Sequence, residues 1–430
     1  MTEPVGRPDA HARFIFRPTE GWGMTQPFSS DRDPSFRFAY DVPTIRFGPG
    51  CVADLATELE RHGLERALVV CGSTVGSTPA VIDPVTDGLG DRLVGVFDET
   101  TPEKRLATAF DACERLEHEG ADVLVAVGGG SSLDVATVAG VLAATDRDRE
   151  SIYEAFAETG TIDVPEEGVV PIVTIPTTLA GADLSNAAGI TAGPESGFVD
   201  AHVGGGVFHP SLMPAAAFYD PDIVATTPEP VLAGSAMNGF DKGIETIYAA
   251  TATPVTDATA ARGLGVLADG LEAFGAGERD AETVATILEG LVLVQFGISR
   301  PDESTLSIVH AFGHGLTEGY DVQQGAAHAV VVPHVLEYLL GSDASVRREL
   351  LADALGVGEA DDPGEAIVER VREVRNALDV PTRLRDVDGP EPAAFTEVAE
   401  TILADRLVTN APPGLEPTVD EIEDVLEAAW

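Results

Sequence analysis

Short apolar runs alternate with helical patterns over the first half of the chain. The apolar runs predict buried strands at 66–70, 92–96, 121–127 and 169–175. Between two of these runs, the apolar positions of 102–119 recur at helical spacing. Such alternation is typical of a parallel sheet covered by helices. We therefore predict an α/β domain over 36–224, preceded by an N-terminal extension over 1–35 that has no sustained period.

The pattern changes after Asp220-Pro221 and is helical from there on. Breaks rich in Gly, Pro or Asp separate the helical segments, which cover 229–250, 256–274, 280–298, 304–316, 326–340, 345–355, 364–378, 392–405 and 418–429. A chain of 430 residues exceeds what one hydrophobic core usually serves. The predicted fold class is thus α/β plus all-α, with a helical domain over 225–430.

The charge balance is strongly acidic. Asp and Glu number 72 against 26 Lys and Arg, which gives a formal net charge of −46. Such a charge repels nucleic-acid phosphates and anionic membrane surfaces, so we expect neither as a partner. The acidic excess runs along the whole chain, which is typical of a halophilic protein, because concentrated salt screens the self-repulsion.

Cysteine usage and hydropathy bear on the compartment. Cys51, Cys71 and Cys113 lack metal-type spacing and fit reduced thiols better than a disulfide framework. The sequence shows neither an apolar signal core near its first residues nor an apolar stretch long enough to cross a bilayer. We expect a cytoplasmic protein.

A glycine-rich loop follows the predicted strand 121–127. Gly128-Gly129-Gly130-Ser131 leads into a helix that carries Asp134. Glycines let the backbone approach phosphates closely, and the unpaired N–H groups that open a helix attract anions. An ordinary strand-to-helix turn is the alternative, but three consecutive glycines favour pyrophosphate binding. The other glycine run, 204–206, has no strand-to-helix setting and is predicted to be a loop.

Two hydroxyl side chains, Thr177 and Thr178, follow the predicted strand 169–175 and Pro176. Ligands of open α/β sheets bind at the carboxyl ends of strands. These threonines are therefore candidate cofactor contacts.

Polar residues form stripes on two predicted helices. Asn238, Lys242 and Glu245 share one face of an otherwise apolar helix. Histidines occupy a second helix and the segment after it, at positions 310, 314, 328 and 334. Histidines four residues apart can bind a metal, but hydrogen bonds could equally satisfy them. Spacing alone favours the structural interpretation.

Together these segments resemble the iron-containing alcohol dehydrogenases over 40–430. The markers are Gly128-Gly129-Gly130-Ser131 with Asp134, Pro176-Thr177-Thr178, Asp220-Pro221, the segment 237–245, and His310, His314, Pro333 and His334. Within that family the chain is most similar to the maleylacetate reductases, in the segments 176–183, 237–238 and 327–334. The resemblance implies a dinucleotide-binding domain followed by a helical domain, an architecture shared with dehydroquinate synthase.

The resemblance also implies four metal-ligand positions, which here hold Asn238, Lys242, His310 and Gln324. One retained ligand of four, with an ammonium inside the site, argues against iron or zinc in the usual cage. Asp241 is expected to project about 100° away from Lys242, and we do not expect it to restore the site.

In the family, hydride passes between nicotinamide and a carbonyl carbon while the metal polarises the oxygen. We hypothesise that Lys242 supplies this charge instead. The alternative is an ion pair of Lys242 with Asp241 or Glu245 on a solvent-facing turn. His314 matches a histidine near the nicotinamide and is the candidate proton relay. His310 and His328 are expected to line the substrate pocket.

The cofactor is expected to be NAD or NADP. Many family members carry an Asp after the first strand, where this chain has Gly72, followed by Ser73 and Thr74. Loss of that carboxylate removes an obstacle to the 2′-phosphate of NADP. Thr137 replaces the usual Lys of the helix after the glycine loop, so the cofactor contacts differ from the family pattern.

We therefore expect an NAD(P)-dependent oxidoreductase, active as a homodimer, that acts on a small alcohol–carbonyl pair or an activated enone. A lyase related to dehydroquinate synthase is one alternative. A dinucleotide-binding protein that has lost catalysis is another, and the retained His310 and His314 count against it.

Overall fold

The computed structural model describes residues 35–320 and 322–430. The chain divides into two units, Met1–Arg37 and Phe38–Trp430, and only the second is described below. Residues 1–34, nearly all of the predicted extension, lie outside the described residues. The predicted domain boundaries at 36–224 and 225–430 remain predictions.

The strands belong to one large sheet and one hairpin. They are β1 Thr44–Phe47, β2 Ala67–Gly72, β3 Leu93–Thr100, β4 Val123–Gly128, β5 Ile172–Pro176, β6 Ala187–Ala192, β7 Val203–Phe208 and β8 Ala216–Tyr219. The large sheet has six strands in the order β1-β8-β5-β4-β2-β3, and all neighbours run parallel. The carboxyl ends of β2, β4 and β5 therefore lie side by side at one edge, where open α/β sheets bind ligands.

Helices cover both faces of this sheet. They are α1 Leu55–Arg61, α2 Ser73–Gly76, α3 Pro79–Leu89, α4 Leu106–Glu119, α5 Gly130–Leu142 and α6 Arg149–Thr159. Side chains of β2 alternate between two cores. Leu68 and Val70 pack with α4, α5 and α6, whereas Val69 and Cys71 pack with α1 and α3. This period of two explains why the strand is apolar throughout, since both faces are buried.

The hairpin of β6 and β7 corrects one sequence prediction. The glycines 204–206, predicted to be a loop, lie within β7, which pairs antiparallel with β6. A Cβ at Gly205 would lie 1.9 Å from the Gly160 carbonyl oxygen, and one at Gly206 would lie 2.2 Å from the Ala188 carbonyl oxygen. Glycine is required here because neighbouring backbones approach closely, not because the chain turns.

The second half of the unit is helical, as predicted. Its helices are α7 Pro221–Val224, α8 Glu229–Tyr248, α9 Pro254–Gly275, α10 Ala281–Gln295, α11 Ile308–Thr317, α12 Gln324–Gly341, α13 Arg348–Ala354, α14 Pro363–Ala377, α15 Phe395–Ala404 and α16 Val419–Ala428. The predicted fold class of a parallel α/β sheet followed by helices is thus confirmed. Among the helices of the described residues, none combines the length and the apolar character that crossing a bilayer requires.

Helix α8 lies at the centre of the helical half. It packs against α9, α10, α11 and α12, and every residue from Ala236 to Tyr248 is buried. Its apolar side chains, among them Met237, Phe240 and Ile244, belong to the largest hydrophobic core. The charged side chains of the same helix are consequently held inside the protein.

Candidate active site

Three charged residues lie buried on α8. Asp241 and Glu245 are 0% exposed and Lys242 is 9% exposed. Removing a charge from water is costly unless a partner compensates for it. The partners of these three groups therefore define what the site can do.

Glu245 has its partners at the start of α11. Its Oε1 accepts the backbone N–H of His310 at 3.0 Å, and its Oε2 lies 2.6 Å from His310 Nδ1. Burial raises the pKa of Glu245 to about 7, against the opposing effect of the N–H groups of His310, Ser307 and Val309. The carboxylate thus faces the positive end of α11 and fixes the position of the His310 ring.

Asp241, His310 and His328 meet beside this pair. Asp241 Oδ2 lies 3.2 Å from Nδ1 of His310 and 3.3 Å from Nδ1 of His328. One candidate ligand atom from each residue lies within 4.8 Å of the other two. Yet neither oxygen of Asp241 and neither ring nitrogen of His328 makes a hydrogen bond in the described structure. Buried polar atoms that converge without bonding each other fit a divalent cation.

The protonation of the two histidines suits the same role. Burial lowers the pKa of both His310 and His328 to about 3, so both imidazoles are neutral near pH 7. Burial, together with the charge of Glu245, raises the pKa of Asp241 to about 7. Neutral imidazoles are the form in which histidine binds metal, whereas Asp241 would release its proton as an ion binds, so metal affinity should rise with pH around 7.

The prediction that the metal cage is dismantled is therefore wrong. It assumed that the ligands occupy the positions of Asn238, Lys242, His310 and Gln324, whereas the buried group consists of Asp241, His310 and His328. Asp241 does lie to one side of Lys242, but it precedes Glu245 by one helical turn and faces α11 and α12. The spacing of Asp241 and Glu245 was the signal that the sequence interpretation missed.

The other polar residues that the sequence singled out on these helices lie outside the group of Asp241, His310 and His328. Asn238 is buried with its Oδ1 unpartnered, and Gln324 begins α12 outside the group. His314 Nδ1 lies 2.6 Å from Asp405 Oδ2, and half of its side-chain surface is exposed. His334 pairs with Glu337 at 3.3 Å. The structure brings His310 and His328 together and leaves His314 and His334 outside this group, and the relay role of His314 stays a prediction.

Lys242 lines a cavity of about 80 Å³, together with Asp134, Gly181, Ala182, Leu184, Ser185, Ala187, Gln295, Ile298, Ser299 and Leu306. Burial lowers the pKa of Lys242, and four carboxylates oppose this effect, Asp183 most strongly. Among the described residues, no carboxylate lies within ion-pair distance of its ammonium. The solvent-facing ion pair that served as the alternative for Lys242 is absent from this structure.

A buried carboxylate that the sequence did not single out lies near Lys242. Asp183 is 1% exposed, and its Oδ2 accepts hydrogen bonds from the Tyr219 hydroxyl and, at 2.9 Å, from Gln295 Nε2. Burial raises the pKa of Asp183 despite these donors. In the sequence, Asp183 stood out only as the last residue of the segment 176–183, which resembles the maleylacetate reductases. Its role depends on partners from β8 and α10, which local patterns cannot reveal.

The glycine loop has the predicted geometry. Strand β4 ends at Gly128, whose φ is +147°, and α5 begins at Gly130. No side chain caps the N-terminus of α5. Its first N–H groups therefore remain available to an anion.

Cofactor candidates from neighbouring strands gather at this loop. The N–H of Thr177 donates to the Gly128 carbonyl oxygen at 3.0 Å, and a Cβ at Gly129 would lie 3.0 Å from Cγ2 of Thr178. Gly72 ends β2, which pairs with β4, and Ser73 begins α2. The predicted cofactor residues thus share one edge of the sheet.

Asp134 and Ser131 connect the loop to the segment after β3. Lys104 Nζ lies 2.6 Å from Asp134 Oδ2, and the Ser131 hydroxyl donates to the Pro102 carbonyl oxygen at 3.4 Å. Thr137 donates to the Leu133 carbonyl oxygen within α5, so its hydroxyl is already satisfied. Because Asp134 also lines the cavity of Lys242, the glycine loop and the buried charges belong to one site.

This fold and site define a dinucleotide-dependent oxidoreductase with a buried Asp/His/His group that could hold a metal ion. A family model described as iron-containing alcohol dehydrogenase matches residues 43–221. A second one, described as the C-terminal part of the Fe-containing alcohol dehydrogenase family, matches residues 232–430. The chain belongs to the iron-containing alcohol dehydrogenase family and is an NAD(P)-dependent enzyme of that family. The predicted family and enzyme class are confirmed.

Two relatives illustrate the range of this similarity. Lactaldehyde reductase of Escherichia coli (strain K12) is 26% identical over 398 residues, which cover 90% of this chain and 98% of the relative. Maleylacetate reductase of Pseudomonas aeruginosa is 27% identical over 376 residues, which cover 86% and 92%. These near-equal identities leave the maleylacetate reductase subgroup a prediction.

Among solved structures, the chain is similar to sulfoacetaldehyde reductase from Bifidobacterium kashiwanohense in complex with NAD⁺. The TM-score is 0.77 at 20% identity, and the match covers 92% of this chain and 99% of the other. At this identity the likeness establishes the common fold.

Proposed function

We propose that this enzyme transfers hydride between a nicotinamide cofactor and the carbonyl carbon of a small aldehyde or ketone, with a divalent metal in the site. The observation that carries the proposal is the buried group of Asp241, His310 and His328, whose polar atoms converge without hydrogen-bonding each other. Lys242, which follows Asp241 in α8, lines a cavity that reaches Asp134 at the glycine loop.

The metal would be iron or zinc, held by Asp241, His310 and His328. Three protein ligands are typical of catalytic zinc sites, which keep a further position open for substrate. When bound, the ion would polarise the carbonyl oxygen as a Lewis acid. The chain's own contribution is to orient the ligands, since Glu245 holds His310 through Nδ1 at 2.6 Å.

The cofactor would place its pyrophosphate at the N-terminus of α5, against Gly129 and Gly130. The related sulfoacetaldehyde reductase structure contains NAD⁺, which supports NAD here. Gly72 leaves the end of β2 without a carboxylate, which supports NADP as a second cofactor. His314, hydrogen-bonded to Asp405, remains our candidate for moving the proton.

The substrate class is argued from the relatives and from the cavity. Lactaldehyde and maleylacetate reductases act, by their names, on small carbonyl compounds or their acids. A small carbonyl compound, or the activated enone of a maleylacetate-like acid, suits the short cavity beside Lys242. Membership of an oxidoreductase family counts against both the lyase and the inactive dinucleotide-binding alternatives.

The proposal extends to working conditions. The net charge of −46 supports a protein adapted to concentrated salt, with neither nucleic acid nor membrane as partner. The free cysteines Cys51, Cys71 and Cys113 support a cytoplasmic location. A homodimer remains a prediction, which light scattering would test.

The test of the metal begins with chelator-treated protein. We expect oxidation of NADH or NADPH with lactaldehyde or maleylacetate to be lost on chelation, and to return with Fe²⁺ or Zn²⁺. Metal analysis should find about one ion per chain in the wild type. It should find far less in His328→Gln, because that change removes a ligand.

The matched control is His334→Gln on the same helix, since His334 lies outside the group. It should keep its metal. Full activity of the metal-free enzyme, or metal retained by His328→Gln, would overturn the proposed site.

A further inference from the structure

Lys242 is a buried cation whose neighbouring carboxylates are already engaged. Asp183 accepts from Tyr219 and Gln295, and Asp134 pairs with Lys104. On the other side, Glu245 is held by His310, and Asp241 belongs to the metal-binding group. Within the described residues, the Lys242 ammonium has neither a hydrogen bond nor an ion pair.

The Lys242 residue is only 9% exposed, so its ammonium, which has three N–H donors, needs an acceptor within the protein or from a ligand. The cavity it lines is where such an acceptor would enter. The walls contribute the hydroxyls of Ser185 and Ser299 beside the apolar side chains of Leu184, Ile298 and Leu306. These walls suit a short carbon chain with an acidic end.

The acidic charge of the whole chain increases the importance of Lys242 for binding an anionic substrate. With 72 acidic residues against 26 basic ones, the protein repels an anionic substrate at long range. Among the described residues that line the cavity, Lys242 is the only basic one, and the other lysine, Lys104, is neutralised by Asp134. A substrate that carries a carboxylate would therefore depend on Lys242 for its binding energy.

We infer that Lys242 is a specificity-determining residue that binds a carboxylate of the substrate, so that the enzyme acts on short-chain oxo acids or hydroxy acids. The inference rests on the proposed function, which places the carbonyl group at the neighbouring Asp241, His310 and His328. It assigns the metal-binding group to the carbonyl oxygen and Lys242 to the acid group. The earlier hypothesis, in which Lys242 replaces the metal as the electrophile, lost its basis when the metal-binding group was found.

The test compares two aldehydes of four carbons, 4-oxobutanoate and butanal, with the full-length, metal-loaded enzyme at one fixed KCl concentration. We expect the wild type to favour the acid, and Lys242→Met to lower the ratio of kcat/KM for the acid over butanal by roughly 10- to 100-fold. Lys242→Arg, which keeps the charge, should retain part of the preference. If Lys242 were instead an electrophile or a structural residue, both substrates would lose activity in parallel and the ratio would not change.

Calorimetry with succinate separates this inference from the proposed function. Succinate carries carboxylates but has no aldehyde or ketone group, so the enzyme can bind it without reducing it. Succinate should bind the wild type, more weakly Lys242→Arg, and much more weakly Lys242→Met. Equal affinity in all three would overturn the role of Lys242, whatever the enzyme reduces. If instead no aldehyde is reduced but succinate binding still depends on Lys242, the carboxylate site stands and the proposed reaction fails.

Discussion

At the scale of single residues, the role of each charged side chain on α8 depends on which residues of other helices it contacts. Glu245 lies one turn after Asp241, yet one holds a histidine and the other joins the metal-binding group. Lys242 lies between them in sequence, but it lines the cavity that reaches Asp134. The sequence supplied the residue types on α8, but α11 and α12 determine which of them meet. This is why His310 was anticipated as a site residue, whereas Asp241 was wrongly set aside.

The pair of His314 and Asp405 gives a residue-scale prediction. Burial alone would raise the pKa of Asp405, but the hydrogen bonds from His314 and the Leu407 N–H outweigh it and lower this pKa below 3.8. A carboxyl group with a depressed pKa stabilises the fold above its unfolded pKa and loses that contribution as pH falls through the folded value. Asp405→Asn should therefore cost about 1 kcal/mol of unfolding free energy at pH 7.

Urea titrations at pH 7, 4 and 3 check this prediction. The difference between wild type and Asp405→Asn should be constant down to about pH 4 and shrink below it. The control is Asp361→Asn, which changes an exposed carboxylate on the surface. A difference that persisted unchanged at pH 3 would contradict the assigned cause.

At the scale of elements, the sequence predicted the long helices and strands with a clear period correctly and missed several short ones. The long helices were predicted within a few residues, because each carries several turns of amphipathic pattern. Strands β1 and β8, four residues each, had not been assigned, since so short a run has no distinct period. The hairpin of β6 and β7 was missed because its glycines are read as turn residues when only the local sequence is considered.

Glycine placement in β7 leads to an element-scale prediction. Gly205→Ala would place a Cβ 1.9 Å from the Gly160 carbonyl oxygen, so the hairpin must move away from the end of α6. We expect a loss of about 1–3 kcal/mol in unfolding free energy, the usual cost of overpacking. Thermal or urea unfolding measures it.

Gly204→Ala is the matched control, because a Cβ at Gly204 meets nothing within 4 Å. It should change stability by less than about 0.5 kcal/mol. Equal destabilisation by both variants would mean that strand propensity, not the close approach to Gly160, accounts for the loss.

At the scale of the whole molecule, net charge governs behaviour more than any single pair does. Ion pairs such as that of Lys104 with Asp134 can engage only part of the carboxylates, because 72 acidic residues face 26 basic ones. This quantity could be taken from the sequence without any knowledge of the fold. Its effect on substrate binding could not, because that depends on where the cations lie.

Salt dependence is the prediction at this scale. We expect the unfolding midpoint to rise with KCl from about 0.1 M to 2 M, because shortening the Debye length screens the repulsion among carboxylates. Differential scanning calorimetry measures the midpoint. Sucrose at matched osmolarity is the control for preferential exclusion, and a midpoint that rises no more in KCl than in sucrose would contradict the expectation.

Asp241, His310 and His328 come from three different helices, α8, α11 and α12. An ion held by all three would cross-link the helical half, much as a disulfide joins distant segments. Folding and metal uptake would then be one linked equilibrium, in which each tenfold rise in free ion above its dissociation constant adds about 1.4 kcal/mol to the stability of the folded state. Metal supply would thereby set how long the protein survives proteolysis as well as how fast it turns over.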